Sequence, residues 1–404
     1  MPASKAPNAM EGPAPTASGP PAPARVAHQP SEDWGNPRLA RNLFLWPALA
    51  VVLALAIFPL VASLALAFSH FSFAKGGFKI EWIGLANFAT LFSGSEATIF
   101  LGRTGSPTLF GYVLLALAIL AIGGGLVSYF RGGRVRPVGA IGRIVLGALS
   151  LVFAFLVVYT TFSTGGFPGS LVTTMFYATF GAGIEYALGL ALAMLTIQRL
   201  PGQKFFRVVF LLPMTITPVG VAYMFRMLTD TARGPFAPLW NAAGLSNFAL
   251  LGDPWGARIA VLIGDVWQWT PFMFIVLVAA LEGRDLESEE AGVVDGATRW
   301  QIFRHITLPS ILPVSATVVF IRLIEAFKII DLPNVMTNGG PGTATESITL
   351  QSYLYWRGFD LGQSAATAYT LLIVVTVVAL GYAALVLQRA RAGGGPSIRE
   401  GTLA

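Results

Sequence analysis

A run of about 20 apolar residues is long enough to cross roughly 30 Å of hydrocarbon as a helix. This chain contains such runs eight times, at about 43–68, 109–130, 142–163, 172–197, 208–229, 258–281, 311–332 and 366–388. Lipid offers no water to exposed amides and carbonyls, so each run must close its own hydrogen bonds as a helix. The expected fold class is all-α: a polytopic membrane protein with about eight transmembrane helices. Charged residues are 11% of the chain, against roughly 25% in a soluble domain, so most of the surface faces something other than water. The fifth run contains Pro213 and Pro218 and the sixth Pro271. Each proline removes a helical hydrogen bond and predicts a kink.

Other classes fall away on composition. The net charge of +6 does not point to nucleic acid, because the basic residues lie between apolar runs rather than in one stripe. Cysteine is absent, and His28, His70 and His305 lie far apart, so no metal site is expected. No nucleophile–base pair can be assigned, and no Gly-x-x-x-x-Gly-Lys-Ser/Thr phosphate loop occurs. The chain is therefore expected to be no enzyme, with no catalytic residue. In the first 30 residues, Pro and Ala fill 16 positions, a composition that cannot bury a core. Residues 1–42 are expected to be a disordered tail, and no secretory leader, since the first apolar run opens only near Leu43.

Orientation follows from the basic residues. With the N-terminus in the cytoplasm, 17 of the 26 Lys and Arg fall in cytoplasmic segments and 6 outside. Arg226, Arg322 and Lys328 lie in or near spans. Positive charge stays on the cytoplasmic side, so both termini are expected there.

One cytoplasmic loop differs from the rest. From Leu281 to Pro313 it reads LEGRDLESEEAGVVDGATRWQIFRHITLPSILP. Leu286 to Val294 has helical character, Asp295-Gly296 signals a turn, and Thr298 can cap a second helix. Trp300, Ile302, Phe303 and Ile306 give that helix an apolar side. Such a hairpin needs a partner for its stripe, whether the protein itself, the lipid surface or a second protein.

The residues Glu290-Ala291-Gly292, Asp295-Gly296-Ala297 and Ile306-Thr307-Leu308-Pro309 resemble the EAA loop of ABC importer permeases, with the Glu-to-Gly interval of that family. Two departures stand out. Gly292 replaces the second Ala, at a cost of about 1 kcal/mol to a helix, and Arg284-Asp285 stands where Ile-Pro is common. Phe58-Pro59, Trp82 to Phe88 (WIGLANF), Arg207 to Pro218 (RVVFLLPMTITP) and Asn338 to Gly342 (NGGPG) are similar to the maltose-type and glycerol-phosphate-type permeases. The resemblance covers about 43–100 and 170–390, not 109–163.

That resemblance implies a six-helix permease core plus two extra helices. The chain then divides into 43–108 (first span and outer loop), 109–163 (two extra spans), 164–392 (core, with the coupling loop at 282–310) and a tail at 393–404. It implies that Glu290, Ala291, Asp295, Gly296, Ala297, Ile306, Leu308 and Pro309 form a coupling helix on a cytoplasmic ATPase dimer, which binds the ATP, so that this chain needs no cofactor of its own. The implied partners are a second permease subunit and an extracytoplasmic solute-binding protein. The implied cargo is a sugar, and the implied place is the inner membrane.

For a solute path, the seventh run offers Arg322, Glu325, Lys328 and Asp331 at three-residue spacing. Neighbours at that spacing touch on a helix, which predicts a ladder of alternating charge. The ladder reads either as a structural brace or as a polar lining. In the sixth run, Trp267 reads as an interfacial anchor or a sugar platform, and Gln268 as an amide in need of a partner. An ion-coupled secondary transporter is the alternative reading of the same intramembrane charges and broken spans.

Overall fold

The computed structural model describes residues 37–74, 76–131, 137–198, 201–244 and 249–392, and there the apolar runs are long helices. Among the described residues, seven continuous helices are long and apolar enough to cross a membrane. They are Leu45–Ala67 (span 1), Leu109–Arg131 (span 2), Gly142–Thr161 (span 3), Ser170–Thr196 (span 4), Pro254–Glu282 (span 6), Arg299–Ala326 (span 7) and Leu361–Val386 (span 8). Span 5 is a pair, Gln203–Thr215 and Pro218–Leu228, bent by 96°. The molecule is a multi-pass, all-α membrane protein. The tails expected at 1–42 and 393–404 lie outside the described residues, except that the first helix already begins at Pro37.

The chain separates into two units, Met1–Leu60 and Val61–Ala404. In the first, the helix Pro37–Val52 passes into a widened turn at Leu53–Ile57. Leu55 and Phe58 are fully open, as a lipid-facing surface requires. The same widened turn recurs in the second unit at Phe303–Thr307. Each lies just before a proline, Pro59 or Pro309, whose missing N–H leaves the carbonyl four residues earlier unpaired. The ladder accommodates this by opening one residue wider.

Span 5 is broken where a kink was expected. The ring of Pro218 disfavours the helical region for the residue before it. Thr217 and Ile216 are accordingly extended, at ψ 143° and 139°. The second half restarts with Pro218 at its first position, and the Thr217 hydroxyl accepts from the Gly220 amide at 3.3 Å. Pro271, in contrast, sits inside an unbroken helix.

Between spans 1 and 2, where only a loop was expected, Ser69–Ala74 and Gly77–Trp82 form an antiparallel hairpin. Two short ladders follow. Gly102–Arg103 pairs with Phe167–Pro168, and Ser106–Pro107 with Ser163–Thr164. They clasp the chain on either side of spans 2 and 3, so the two extra helices form a self-contained hairpin.

Span 6 carries the core. Its first half packs in a cluster with Tyr177, Val221, Phe225, Leu332 and Met336, and its second half with Ala193, Ile311 and Val318. Spans 4 and 6 approach so closely at Gly189 that a Cβ there would stand 2.6 Å from the Cβ of Met273. Gly183, on the open side of span 4, would meet nothing within 4 Å. Gly189→Val is therefore expected to destabilise the protein by about 1–3 kcal/mol, and Gly183→Val to change little. Thermal unfolding in mild detergent compares the two.

Candidate functional site

The loop between spans 6 and 7 is a folded hairpin. Glu287–Val294 is a helix, and Gly296 turns the chain at φ +79°, where a glycine carries no Cβ penalty. Thr298 then caps the next helix through a capping box with Gln301. That second helix is not a separate arm. It runs without interruption into span 7, so Arg299–Ala326 is one rod of 28 residues, starting earlier and ending sooner than the run expected at 311–332.

The hairpin is braced at its base. Arg284 holds Glu289 through two hydrogen bonds, Nε to Oε1 at 2.7 Å and Nη2 to Oε2 at 2.9 Å. Thr307 donates to the same Oε1 at 2.5 Å, and Arg284 Nη1 donates to the Leu281 carbonyl. One ion pair thus joins the end of span 6, the first hairpin helix and the start of span 7. Burial opposes the charge on Glu289, but the hydrogen bonds from Arg284 and Thr307 prevail and hold its carboxyl below the ordinary range. Arg284, a departure from the family pattern by sequence, is the residue that makes this brace. Gly292 gains a reason too: a Cβ there would stand 3.0 Å from Ile306 Cδ1, so glycine lets the two helices close.

Of the residues singled out by sequence, Glu290, Ala291, Asp295, Gly296 and Pro309 are exposed, and Ala297, Ile306 and Leu308 half-buried. Glu290 lines a cleft of about 430 Å³ with Leu281, Arg284, Val293, Ile302 and Phe303. At the tip Val293, Val294 and Trp300 stand open, Val294 at 86%. Of the expected apolar stripe only Trp300 therefore faces away from the rest of the chain, while Ile302, Phe303 and Ile306 are half-buried against it.

Deep in the bundle, Arg322 of span 7 meets Glu185 of span 4 and Asp265 of span 6. Its Nε donates to Glu185 Oε2 at 2.6 Å, and its Nη2 to Glu185 Oε1 at 2.8 Å and Asp265 Oδ2 at 2.5 Å. The guanidinium lies 4.7 Å from the ring centre of Trp269. All three ionisable side chains are at most 3% exposed. The expected ladder along span 7 is therefore not formed as one unit. Lys328 pairs with Glu325 at 2.6 Å in a partly exposed bridge, but Arg322 turns to other helices. The helix ends at Ala326, and Asp331 opens the next one, Asp331–Thr337. Spacing along a single helix could not reveal Glu185, which lies 137 positions from Arg322.

Gln268 is buried beside the break in span 5. Its Nε2 donates to the Ile216 carbonyl at 3.4 Å, while its Oε1 has no hydrogen-bond partner. Trp267 packs edge-on against Phe225 at 5.7 Å. The structure thus brings Gln268 to the broken backbone, and it sets Trp267 into the apolar core.

Comparison with known proteins places this geometry. Residues 186–392 match the family described as binding-protein-dependent transport system inner membrane component. A trehalose/maltose transport system permease protein of Thermococcus litoralis is 32% identical over 213 residues, covering 53% of this chain and 72% of the relative. A trehalose transport system permease protein of Mycobacterium tuberculosis is 31% identical over 233 residues, covering 57% and 73%. Among solved structures, a bacterial ABC transporter involved in import of the polysaccharide alginate superimposes with a TM-score of 0.55 at 19% identity, covering 87% of this chain and 97% of that one. A second alginate transporter structure, in complex with an alginate pentasaccharide-bound periplasmic protein, gives 0.56.

Two predictions follow from the ion pairs. Removing Arg322 leaves two carboxylates buried without a counter-charge, so Arg322→Met should cost about 3–5 kcal/mol. Adding Glu185→Gln and Asp265→Asn should recover much of the loss in detergent unfolding. The folded carboxyl of Glu289 titrates below its unfolded value, so its brace is complete above the unfolded pKa and is lost as pH falls through the folded one. Hydrogen-exchange protection factors over 287–298, which are corrected for the intrinsic pH dependence of exchange, should fall on acidification in the wild type and be low at every pH in Glu289→Gln.

Proposed function

Because the chain belongs to the family of inner membrane components of binding-protein-dependent transport systems, we propose that it is one of two permease subunits of an ABC importer carrying a sugar or related polar solute into the cytoplasm. The observation that carries this reading is the braced hairpin at 287–310, continuous with span 7 and open at its apolar tip. Such a tip fits a cleft on a cytoplasmic ATPase, and the rod behind it delivers the motion to Arg322. ATP is bound and hydrolysed by that partner dimer, and this chain carries no cofactor. A solute-binding protein delivers the cargo from outside. The distribution of Lys and Arg supports the hairpin and both termini lying in the cytoplasm.

A sugar is supported by the relatives named for trehalose and maltose. In the path, Gln268 offers an unpaired Oε1 next to a carbonyl freed by the break in span 5. Glu325, Lys328 and Asp331 supply polar groups further along. Trp267 lends an aromatic wall, and Arg322 acts through Glu185 and Asp265 by holding three helices in register.

The test is reconstitution with the partner ATPase, second permease and binding protein. Val294→Asp places a charge on the most open residue of the tip and disturbs no contact of the fold. Assembly of the variant with near-complete loss of ATP-driven sugar uptake is the expected result. Undiminished uptake, or uptake by this chain alone under an ion gradient, would overturn the reading.

A further inference from the structure

Among the described residues, two arginines are the largest fully buried side chains, and their surroundings differ in kind. Arg322 has two carboxylates. Arg258, one turn inside the start of span 6 and 2% exposed, has no salt-bridge partner. Its Nε donates to the Ala344 carbonyl at 2.6 Å, and its guanidinium lies 5.0 Å from the ring of Trp255 and 5.2 Å from that of Phe167. Its Nη2 is buried with no hydrogen-bond partner. Asp253 acts on this guanidinium at longer range without forming an ion pair with it, so a buried charge with one hydrogen bond and an unpartnered Nη2 still favours an anion beside it.

The same side chain lines a cavity of about 410 Å³ between span 3, span 4 and the start of span 6, within the roughly 300–1,000 Å³ of small-molecule sites. The cavity lies at the end of span 6 remote from the 287–298 hairpin. Its walls are apolar, with Phe153 and Val157 from the extra helix and Met175 and Phe180 from span 4. Thr161 and Thr173 also line it, and both hydroxyls are buried without partners. Phe180, one of its lining residues, is 56% exposed, so the cavity borders the apolar outer surface of span 4. One guanidinium and two hydroxyls at the head of an apolar slot match a molecule with an anionic head and a long tail.

We infer that this cavity binds an anionic membrane phospholipid, its phosphate on Arg258 with Thr161 and Thr173, and its acyl chain between span 3 and span 4. The extra hairpin of spans 2 and 3 then supplies one wall of a lipid site and binds to the core through that lipid. This inference does not depend on the transport reading.

The test uses the lipid-depleted full-length chain and native mass spectrometry with phosphatidylglycerol, phosphatidylcholine, inorganic phosphate and oleate. The expected result is one retained phosphatidylglycerol per chain, held about tenfold more tightly than phosphatidylcholine, whose choline brings a second cation beside Arg258 and cancels the net charge of the head. Arg258→Gln should abolish the preference, and Val157→Trp, which fills the slot and leaves the guanidinium intact, should abolish retention. Equal retention by the wild type and Val157→Trp would overturn the proposal even if Arg258→Gln fails to fold. So would equal affinity for phosphatidylcholine, displacement by inorganic phosphate at equal concentration, or displacement by oleate as effective as that by phosphatidylglycerol.

Discussion

Hydrocarbon solvates neither charge nor backbone, so an ionised side chain inside a span is costly unless an opposite charge or a hydrogen-bond partner lies beside it. Arg322 has both in Glu185 and Asp265, each from a different helix. That one junction sets the relative depth and rotation of spans 4, 6 and 7. Apolar packing along a helix face tolerates small slippage, whereas three charges within hydrogen-bond distance do not. Close approach at Gly189 depends on the same register, because a shift of one residue would bring a side chain against Met273.

At the other end of span 7, the Arg284–Glu289–Thr307 brace gives the hairpin a fixed angle to the bundle. Between the two ion-paired points the helix is continuous, and the 24 residues from Arg299 to Arg322 span about 35 Å at the rise of an α-helix. A rod held at both ends transmits displacement rather than absorbing it. Span 5 is the opposite case. Pro218 frees the backbone at Ile216, and the freed carbonyl takes its hydrogen bond from Gln268 on span 6. Rigid and interrupted helices thus lie side by side, which is the combination that a moving pathway through lipid requires.

Much of this was legible in advance for local reasons. The apolar runs marked the long helices, seven continuous and one bent pair among the described residues, and Thr298 foretold a helix start. Gly296 marked the turn because few other residues adopt a positive φ. What failed to read were features that depend on partners distant along the chain. Arg284 looked like a departure from a pattern until Glu289 and Thr307 stood beside it. Gly292 looked like a weakness until Ile306 lay against it. The strands at 69–82 escaped notice because an isolated hairpin carries little more signal than a polar loop. Pro218 and Pro271 read alike, yet one breaks its helix and the other does not: Pro271 is buried within the packed face of span 6, whereas Pro218 is exposed.

The sequence by itself determined the solvent, the places of the long apolar helices and the place of the hairpin, because these follow from hydropathy and from hydrogen bonds closed within a few residues. Tertiary structure alone decided which charges meet. Arg322 had Glu325 at helical spacing and took Glu185 and Asp265 instead, since those carboxylates lie in the buried interior, where a guanidinium has no water to turn to.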